Sequence, residues 1–123
     1  MAKIFLDANC FLRLMRGELQ NAVPYLSSHK LFISTLSVHI ALYVYKVNLP
    51  SQTFENFYQQ FQSIDFSKEL TQKALVGPTK DFEDNLQLHS AVTSRCSIFL
   101  TLDKKLLKMK SFETLNIMSP LDI

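Results

Sequence analysis

Short apolar runs alternate along the chain with segments in which apolar residues recur every three or four positions. The strongest runs are residues 4–6, 31–33 and 97–101, a weaker one is 115–118, and residues 63–66 form a further short strand or a turn. Uninterrupted apolar runs of this length are typical of strands buried on both faces of a parallel sheet. The alternation of such runs with helical spacing predicts an α/β fold.

The segments between the runs predict helices. Their expected ranges are 9–16, 19–29, from about 34–37 to 46, 51–62, 81–95 and 104–109. Gly17 is a natural stop for the first, whereas Pro24 is unfavourable inside the second. In the fourth, aromatic residues recur at helical spacing and predict a face buried in the core or in a dimer interface, with base stacking as the alternative. This aromatic stripe consists of Phe54, Phe57, Tyr58 and Phe61.

The composition indicates one globular domain over residues 1–123. Apolar residues make up 47% of the 123 positions, which is enough for a core and excludes wholesale disorder. The net charge is only +2, so any contact with nucleic acid must use a local basic patch and not the charge of the whole surface.

The cysteine count and the hydropathy bear on the compartment. Cys10 and Cys96 are too few for a disulfide framework or a zinc site, and we interpret them as small buried residues in a reducing compartment. No apolar run approaches the roughly 18–20 residues of a membrane span, and no secretory signal pattern opens the sequence. We therefore expect a soluble cytoplasmic protein.

Acidic residues fall where a parallel sheet places its ligands. Asp7 ends the first predicted strand, and Asp103 follows the third by a few residues. Asp81 and Asp84 open the helix between them and share a face because they are three residues apart, whereas Glu83 is expected to point elsewhere. Ligands of open parallel sheets bind outside the carboxyl ends of the strands. The four aspartates are therefore expected to converge at one edge.

Such a cluster needs a counter-charge. Two carboxylates about 4 Å apart repel by about 4 kcal/mol at an effective dielectric constant of about 20. Oxygen ligands without cysteine or histidine suit Mg²⁺ or Mn²⁺. A carboxylate-held Mg²⁺ activates water and polarises phosphoryl oxygens, which is the chemistry of phosphodiester hydrolysis.

With these acidic residues at these positions, the sequence resembles the PIN-domain family, which includes the VapC-like toxins of toxin–antitoxin pairs. The resemblance covers essentially the whole chain. It rests on residues 4–9 (IFLDAN), 33–38 (ISTLSV), 81–87 (DFEDNLQ), 99–103 (FLTLD) and 116–120 (NIMSP), in this order and at these spacings.

The resemblance implies a central parallel sheet of four or five strands sandwiched by helices. It also implies an endoribonuclease that depends on Mg²⁺ or Mn²⁺ and cleaves single-stranded RNA, a homodimer, and a cognate antitoxin that covers the acidic groove. The implied residues are Asp7, Asp84 and Asp103 as catalytic metal ligands, Asp81 as an accessory metal ligand, and Asn9 and Thr101 as supporting polar groups.

One position departs from the family pattern. The family usually has a glutamate shortly after the stretch at 33–38, and this chain has Ile40 there. His39 would point about 100° away round the helix and is a poor replacement. The departure motivates an alternative, in which the chain is a degenerate PIN-like module that binds RNA or protein with little or no turnover.

Simpler roles compete for each candidate residue. Every one of the four aspartates could serve as a helix cap or as a first-turn acid. Arg13, Lys104 and Lys105 are candidate RNA contacts, with ordinary solvated surface charge as the alternative. A receiver-like or flavodoxin-like domain is a more distant possibility, which Asp65 with Lys104 or Lys105 matches only loosely.

Overall fold

The computed structural model describes residues 1–123, and its centre is one six-stranded sheet. The strands are β1 (Lys3–Leu6), β2 (Lys30–Ser34), β3 (Gln62–Ile64), β4 (Ile98–Leu100), β5 (Ser111–Phe112) and β6 (Leu115–Met118). Their order across the sheet is β3-β2-β1-β4-β6-β5, and every neighbouring pair is parallel except β5 with β6. The α/β prediction is confirmed, with one more strand than the four or five expected. The addition is the two-residue β5, which is too short to leave an apolar run.

Helices cover both faces of this sheet. They are α1 (Ala8–Met15), α2 (Val23–Leu26), α3 (Thr35–Val44), α4 (Gln52–Tyr58), α5 (Lys68–Val76), α6 (Phe82–Thr93) and α7 (Lys104–Met109), with 3-10 turns at Gln20–Ala22 and Pro120–Asp122. None of them has the length and apolar character needed to cross a lipid bilayer.

The helix predictions need three corrections. The single helix expected over 19–29 is wrong, since a 3-10 turn runs into the short α2, where Pro24 occupies a first-turn position that proline tolerates. The helix expected over 51–62 ends at Tyr58, because the chain enters β3 at Gln62. No helix was predicted over α5. Its buried residues are only Leu70 and Ala74, while other apolar positions face solvent and blur the pattern.

Alternation along the strands divides the core into two halves. Ile4, Leu6 and Leu100 face one side of the sheet, where they pack with α1 and the segments that follow it. Phe5 and Phe99 face the other side, and their rings stack with centroids 5.6 Å apart. Successive strand residues point to opposite faces, so both halves are expected from buried strands.

The aromatic stripe of α4 belongs to the first half of the core. Phe11 of α1 contacts Phe54, Phe57 and Phe61, with ring centroids 5.2 to 6.5 Å apart. The prediction of a core role for this stripe is therefore confirmed. Packing within the fold therefore accounts for the aromatic spacing of this segment.

Candidate active site

The carboxyl ends of β1 and β4 bring the first two candidate acids together. Strand pairing continues one residue beyond each strand, since the Asp7 amide donates to the Leu100 carbonyl (3.1 Å) and the Thr101 amide donates to the Met118 carbonyl (3.0 Å). Asp7 and Thr101 are thus held side by side at the edge of the sheet. Asp103 follows two residues after Thr101.

Asp7 is buried, with only 5% of its surface exposed. One carboxylate oxygen accepts from the Cys10 amide (2.9 Å) and caps α1, and the other accepts from the Thr101 hydroxyl (2.6 Å). Burial raises the pKa of this carboxyl above its usual value, although the hydrogen bonds from Thr101 and Cys10 oppose the rise. Its cap role and its place in the cluster are compatible.

Thr101 connects the two strand-end acids. Its hydroxyl donates to Asp7 and accepts from the backbone amide of Asp103 (3.0 Å). Asp103 is exposed and caps α7 by accepting from the Lys105 amide (2.8 Å). Thr101 therefore hydrogen-bonds to both Asp7 and Asp103, and its supporting role in an active site stays a prediction.

The amino end of α6 brings further acids to the same edge. Asp81 caps the helix by accepting from the Asp84 amide (2.9 Å), and Asp84 is half-buried in the first turn. The pKa of Asp84 is raised to about 6, first by burial and then by the negative charges of Asp81, Asp103, Asp7 and Glu83, in that order. The four aspartates are therefore close enough to act on one another electrostatically.

Gln87 fixes α6 against the start of α1, and the sequence analysis assigned it no role. Its Oε1 accepts from the Ala8 amide (2.6 Å), and its Nε2 donates to the Glu83 carbonyl (3.4 Å). Gln87 lies one helical turn after Asp84, and this spacing of two polar residues was the signal in the sequence that could have identified Gln87 as a residue of the site. Its buried side chain holds the acidic end of α6 in position against α1.

Glu83 corrects one prediction. It was expected to point away from the acids, yet burial and the charges of Asp81 and Asp7 raise its pKa. Glu83 lies four residues before Gln87 and therefore on the face of α6 that meets Ala8. Asp81 is the helix cap, and the exposed Glu83 lies at the same end of α6 as Asp81 and Asp84.

Other predicted residues stand apart from the acids. Asn9 is exposed and accepts from Nε of Arg13 (3.4 Å), and neither side chain hydrogen-bonds to a candidate acid. Arg13 also pairs with Glu18 (3.5 Å). Lys105 lines a cavity with Asp81 and Asp84, whereas its neighbour Lys104 does not.

Ile40 occupies the position where the family pattern has an acid. It is half-buried on α3, and no acidic residue stands elsewhere on that helix. α3 therefore contributes no carboxylate to this edge of the sheet. Glu83 is the additional acid that the structure brings to the cluster.

The donor chemistry of the cluster fits a hard divalent cation. Its acidic side chains offer carboxylate oxygens, which Mg²⁺ and Mn²⁺ prefer, and their mutual repulsion is what a cation would relieve. No three acidic, histidine or cysteine side chains are spaced closely enough to form a ready-made metal site. Asp7 is fixed by two hydrogen bonds, while Asp84 and Asp103 are more exposed.

Comparison with known proteins supports the fold. No family model and no curated protein matches the sequence. A chain of the crystal structure of VapBC2 from Rickettsia felis, bound to a DNA fragment from its promoter, is 18% identical with a TM-score of 0.68, covering 95% of this chain and 98% of that one. A chain of DNA-bound VapBC from Salmonella typhimurium is 15% identical with a TM-score of 0.63, covering 98% and 99%. These likenesses extend over nearly the whole chain and show a shared fold.

Proposed function

We propose that the chain is a divalent-metal-dependent endoribonuclease that hydrolyses RNA phosphodiesters and acts as the toxin of a toxin–antitoxin pair. The observation that carries the proposal is a set of hydrogen bonds at one edge of the sheet. Thr101 bonds to both Asp7 and Asp103. Gln87 holds the end of α6 that carries Asp84 against the start of α1. The negative charges of Asp7, Asp84 and Asp103 would favour the binding of a cation at this edge. The fold shared with chains of VapBC complexes supports the same assignment.

Asp7, Asp84 and Asp103 would hold Mg²⁺ or Mn²⁺, with Asp81 or Glu83 adding charge nearby. A metal bound there would lower the pKa of a water molecule and offset the charge that develops on the phosphoryl oxygens. The residues of the chain itself have distinct roles. Asp7 is held rigidly by Thr101 and Cys10, and Gln87 keeps α6 against the start of α1. Such fixed groups need no reorganisation during the reaction.

The proposed partners are single-stranded RNA, a cognate antitoxin and a second copy of the chain. The antitoxin is supported by the VapBC complexes to which the two similar chains belong. Exposed apolar side chains near the end of α3, at Tyr43, Val44 and Leu49, leave surface that a protein partner would cover. Copurification with the product of a neighbouring reading frame tests the antitoxin, and light scattering tests the homodimer.

A second candidate function is RNA or protein binding without turnover, and Ile40 is the observation that favours it. In this case the acids persist as a binding surface, but the cluster lacks the charge that α3 would have contributed. Ile40→Glu separates the two candidates. A large gain in cleavage over the wild type supports a decayed site, and equal rates contradict decay.

Cleavage of a labelled single-stranded RNA tests the proposal. We expect cleavage with Mg²⁺ or Mn²⁺ and none with a chelator. Asp84→Asn should reduce the rate roughly 100-fold, the scale typical of losing one electrostatic group from an active site. Asp122→Asn, at an exposed acid near the carboxyl terminus, is the control and should cleave as the wild type does. Full activity of Asp84→Asn would refute the assignment.

A further inference from the structure

Two exposed phenylalanines stand beside the acidic cluster without a structural partner that buries them. Phe66 follows β3 and is 44% exposed, and Phe82 lies in the first turn of α6 and is 39% exposed. Their ring centroids are 6.3 Å apart at an interplanar angle of 44°. The Phe66 amide donates to Oγ1 of Thr35 (3.0 Å), which ties the backbone of Phe66 to the start of α3 at the carboxyl end of β2. The aromatic pair thus lies at the β2 and β3 end of the site.

A cavity of about 520 Å³ lies on the other side of α6, towards α7. Asp81 and Asp84 line it from α6, while Lys80 and Lys105 contribute positive charge. Neither lysine forms an ion pair with a carboxylate, since the ion pairs of the chain involve other residues. Their ammonium groups are therefore free to meet an anionic ligand beside the acids.

The order of the strands places these two features on opposite sides of the acids. β1, which ends at Asp7, lies between β2 and β4. On α6, Phe82 and Asp84 are two residues apart, so about 200° of rotation around the helix axis separates them and their side chains leave nearly opposite sides of the helix. The aromatic pair faces the β2 side and the cavity faces the β4 side. A ligand long enough to touch both must pass over the acids.

Single-stranded RNA has the chemistry that both features would recognise. Its unpaired bases can stack on exposed aromatic rings, and its phosphates attract unpaired lysines. A duplex is less suitable because its bases are already stacked on one another. An acidic peptide would match the lysines but would gain little from the rings.

We propose that the Phe66–Phe82 pair and the cavity beside Lys105 are the two ends of a binding path along which single-stranded RNA crosses the acidic cluster. The inference rests on the proposed nuclease function for its substrate, and it assigns the residues that bind the strand on either side of the reacting phosphate. The aromatic pair holds a base and Lys105, with Lys80, holds the backbone. The sequence predicts both Lys104 and Lys105 of α7 as RNA contacts, and of these two the path uses Lys105.

Fluorescence anisotropy of a labelled single-stranded RNA of about 12 nucleotides, measured with a chelator and over a range of salt concentrations, tests this path. Phe82→Ala should weaken binding roughly tenfold and leave the salt dependence unchanged, because stacking releases no counterions. Lys105→Ala should weaken binding several-fold and reduce the slope of log K against log salt by about 0.7. Phe82→Trp should bind as the wild type does, which distinguishes loss of stacking from local unfolding.

The controls remove an apolar side chain and a lysine that do not belong to the path. Val23→Ala truncates a 38% exposed apolar side chain on α2, close to the exposure of Phe82, and Lys108→Ala removes an exposed lysine of α7 that does not line the cavity. Both should bind RNA with wild-type affinity. The inference is overturned if the controls weaken binding as much as Phe82→Ala and Lys105→Ala, if those two variants bind normally, if duplex RNA of the same sequence binds equally well, or if the wild type does not bind single-stranded RNA.

Because this assay contains no metal, it is independent of turnover. Sensitivity of binding to Phe82 and Lys105 without any cleavage in Mg²⁺ would preserve the path and refute the nuclease proposal. Metal-dependent cleavage together with RNA binding that is insensitive to both residues would support the nuclease proposal and refute the path.

Discussion

Thr101 carries no charge, yet it determines how two of the acids are placed. Its side chain is fully buried, and its hydroxyl is shared between the Asp7 carboxylate and the Asp103 amide. A buried carboxylate with a free oxygen is costly, because the oxygen has lost its water without gaining another donor. The hydroxyl therefore makes burial of Asp7 tolerable and ties Asp103 to it.

Replacing Thr101 separates this hydrogen bonding from packing. Thr101→Val keeps the shape but removes the donor, and it should lower the free energy of unfolding by about 2 kcal/mol. Thr101→Ser keeps the hydroxyl and loses a methyl group, at a cost of about 1 kcal/mol. Urea denaturation of both variants measures the difference. A valine variant more stable than the serine variant would contradict the role given to the hydroxyl.

At the scale of the element, the first turn of α6 concentrates acids where a helix tolerates them. Asp81, Glu83 and Asp84 lie at the positive end of the helix dipole, which partly offsets their repulsion. Burial, followed by the remaining repulsion from the neighbouring acids, raises the pKa of Asp84 to about 6. Without a cation, this turn is expected to lower the stability of the fold at neutral pH.

The pH dependence of stability tests that expectation. The pKa of Asp84 is higher in the folded chain than the ordinary aspartate value of 3.8, so the folded chain binds more protons and stability falls as pH rises from about 4 to about 6. In metal-free buffer above that range, Asp84→Asn should stabilise the chain by roughly 1 kcal/mol, after allowance for solvent screening and the lost dipole interaction. Thermal melts across this range, with Asp122→Asn as control, measure it. A variant less stable than the wild type at neutral pH would argue against repulsion in the turn.

The same turn shows what the sequence could and could not reveal. Its start, its cap Asp81 and the placing of Asp84 near Asp7 follow from spacing and from the rule for parallel sheets. The direction of Glu83 depends on how α6 is rotated against α1. That rotation is set by the hydrogen bond from Ala8 to Gln87, a contact between residues 79 positions apart. Helical periodicity within one segment carries no information about such a contact.

Over the whole molecule, the strands that build the site were the most predictable part. β1, β2 and β4 are mostly buried and leave apolar runs, and β6 leaves a weaker one, so the α/β fold and the edge where Asp7 and Asp103 meet could be expected. β5 and α5 escaped prediction because both are short or largely exposed. The exposed Phe66–Phe82 pair was also missed, since it joins residues from two elements whose packing the pattern does not specify.

The central claim is that Asp7, Asp84 and Asp103 form one cation site, and thermal unfolding with and without Mg²⁺ tests it most directly. At about pH 7.5 a Mg²⁺ concentration about ten times the dissociation constant should stabilise the chain by about 1.4 kcal/mol and raise Tm by roughly 5 °C. The shift should shrink at about pH 5, where protons compete for the carboxylates, and nearly vanish in Asp84→Asn while Asp122→Asn retains it. An unchanged Tm of the wild type in Mg²⁺, or an equal shift in Asp84→Asn, would contradict the account.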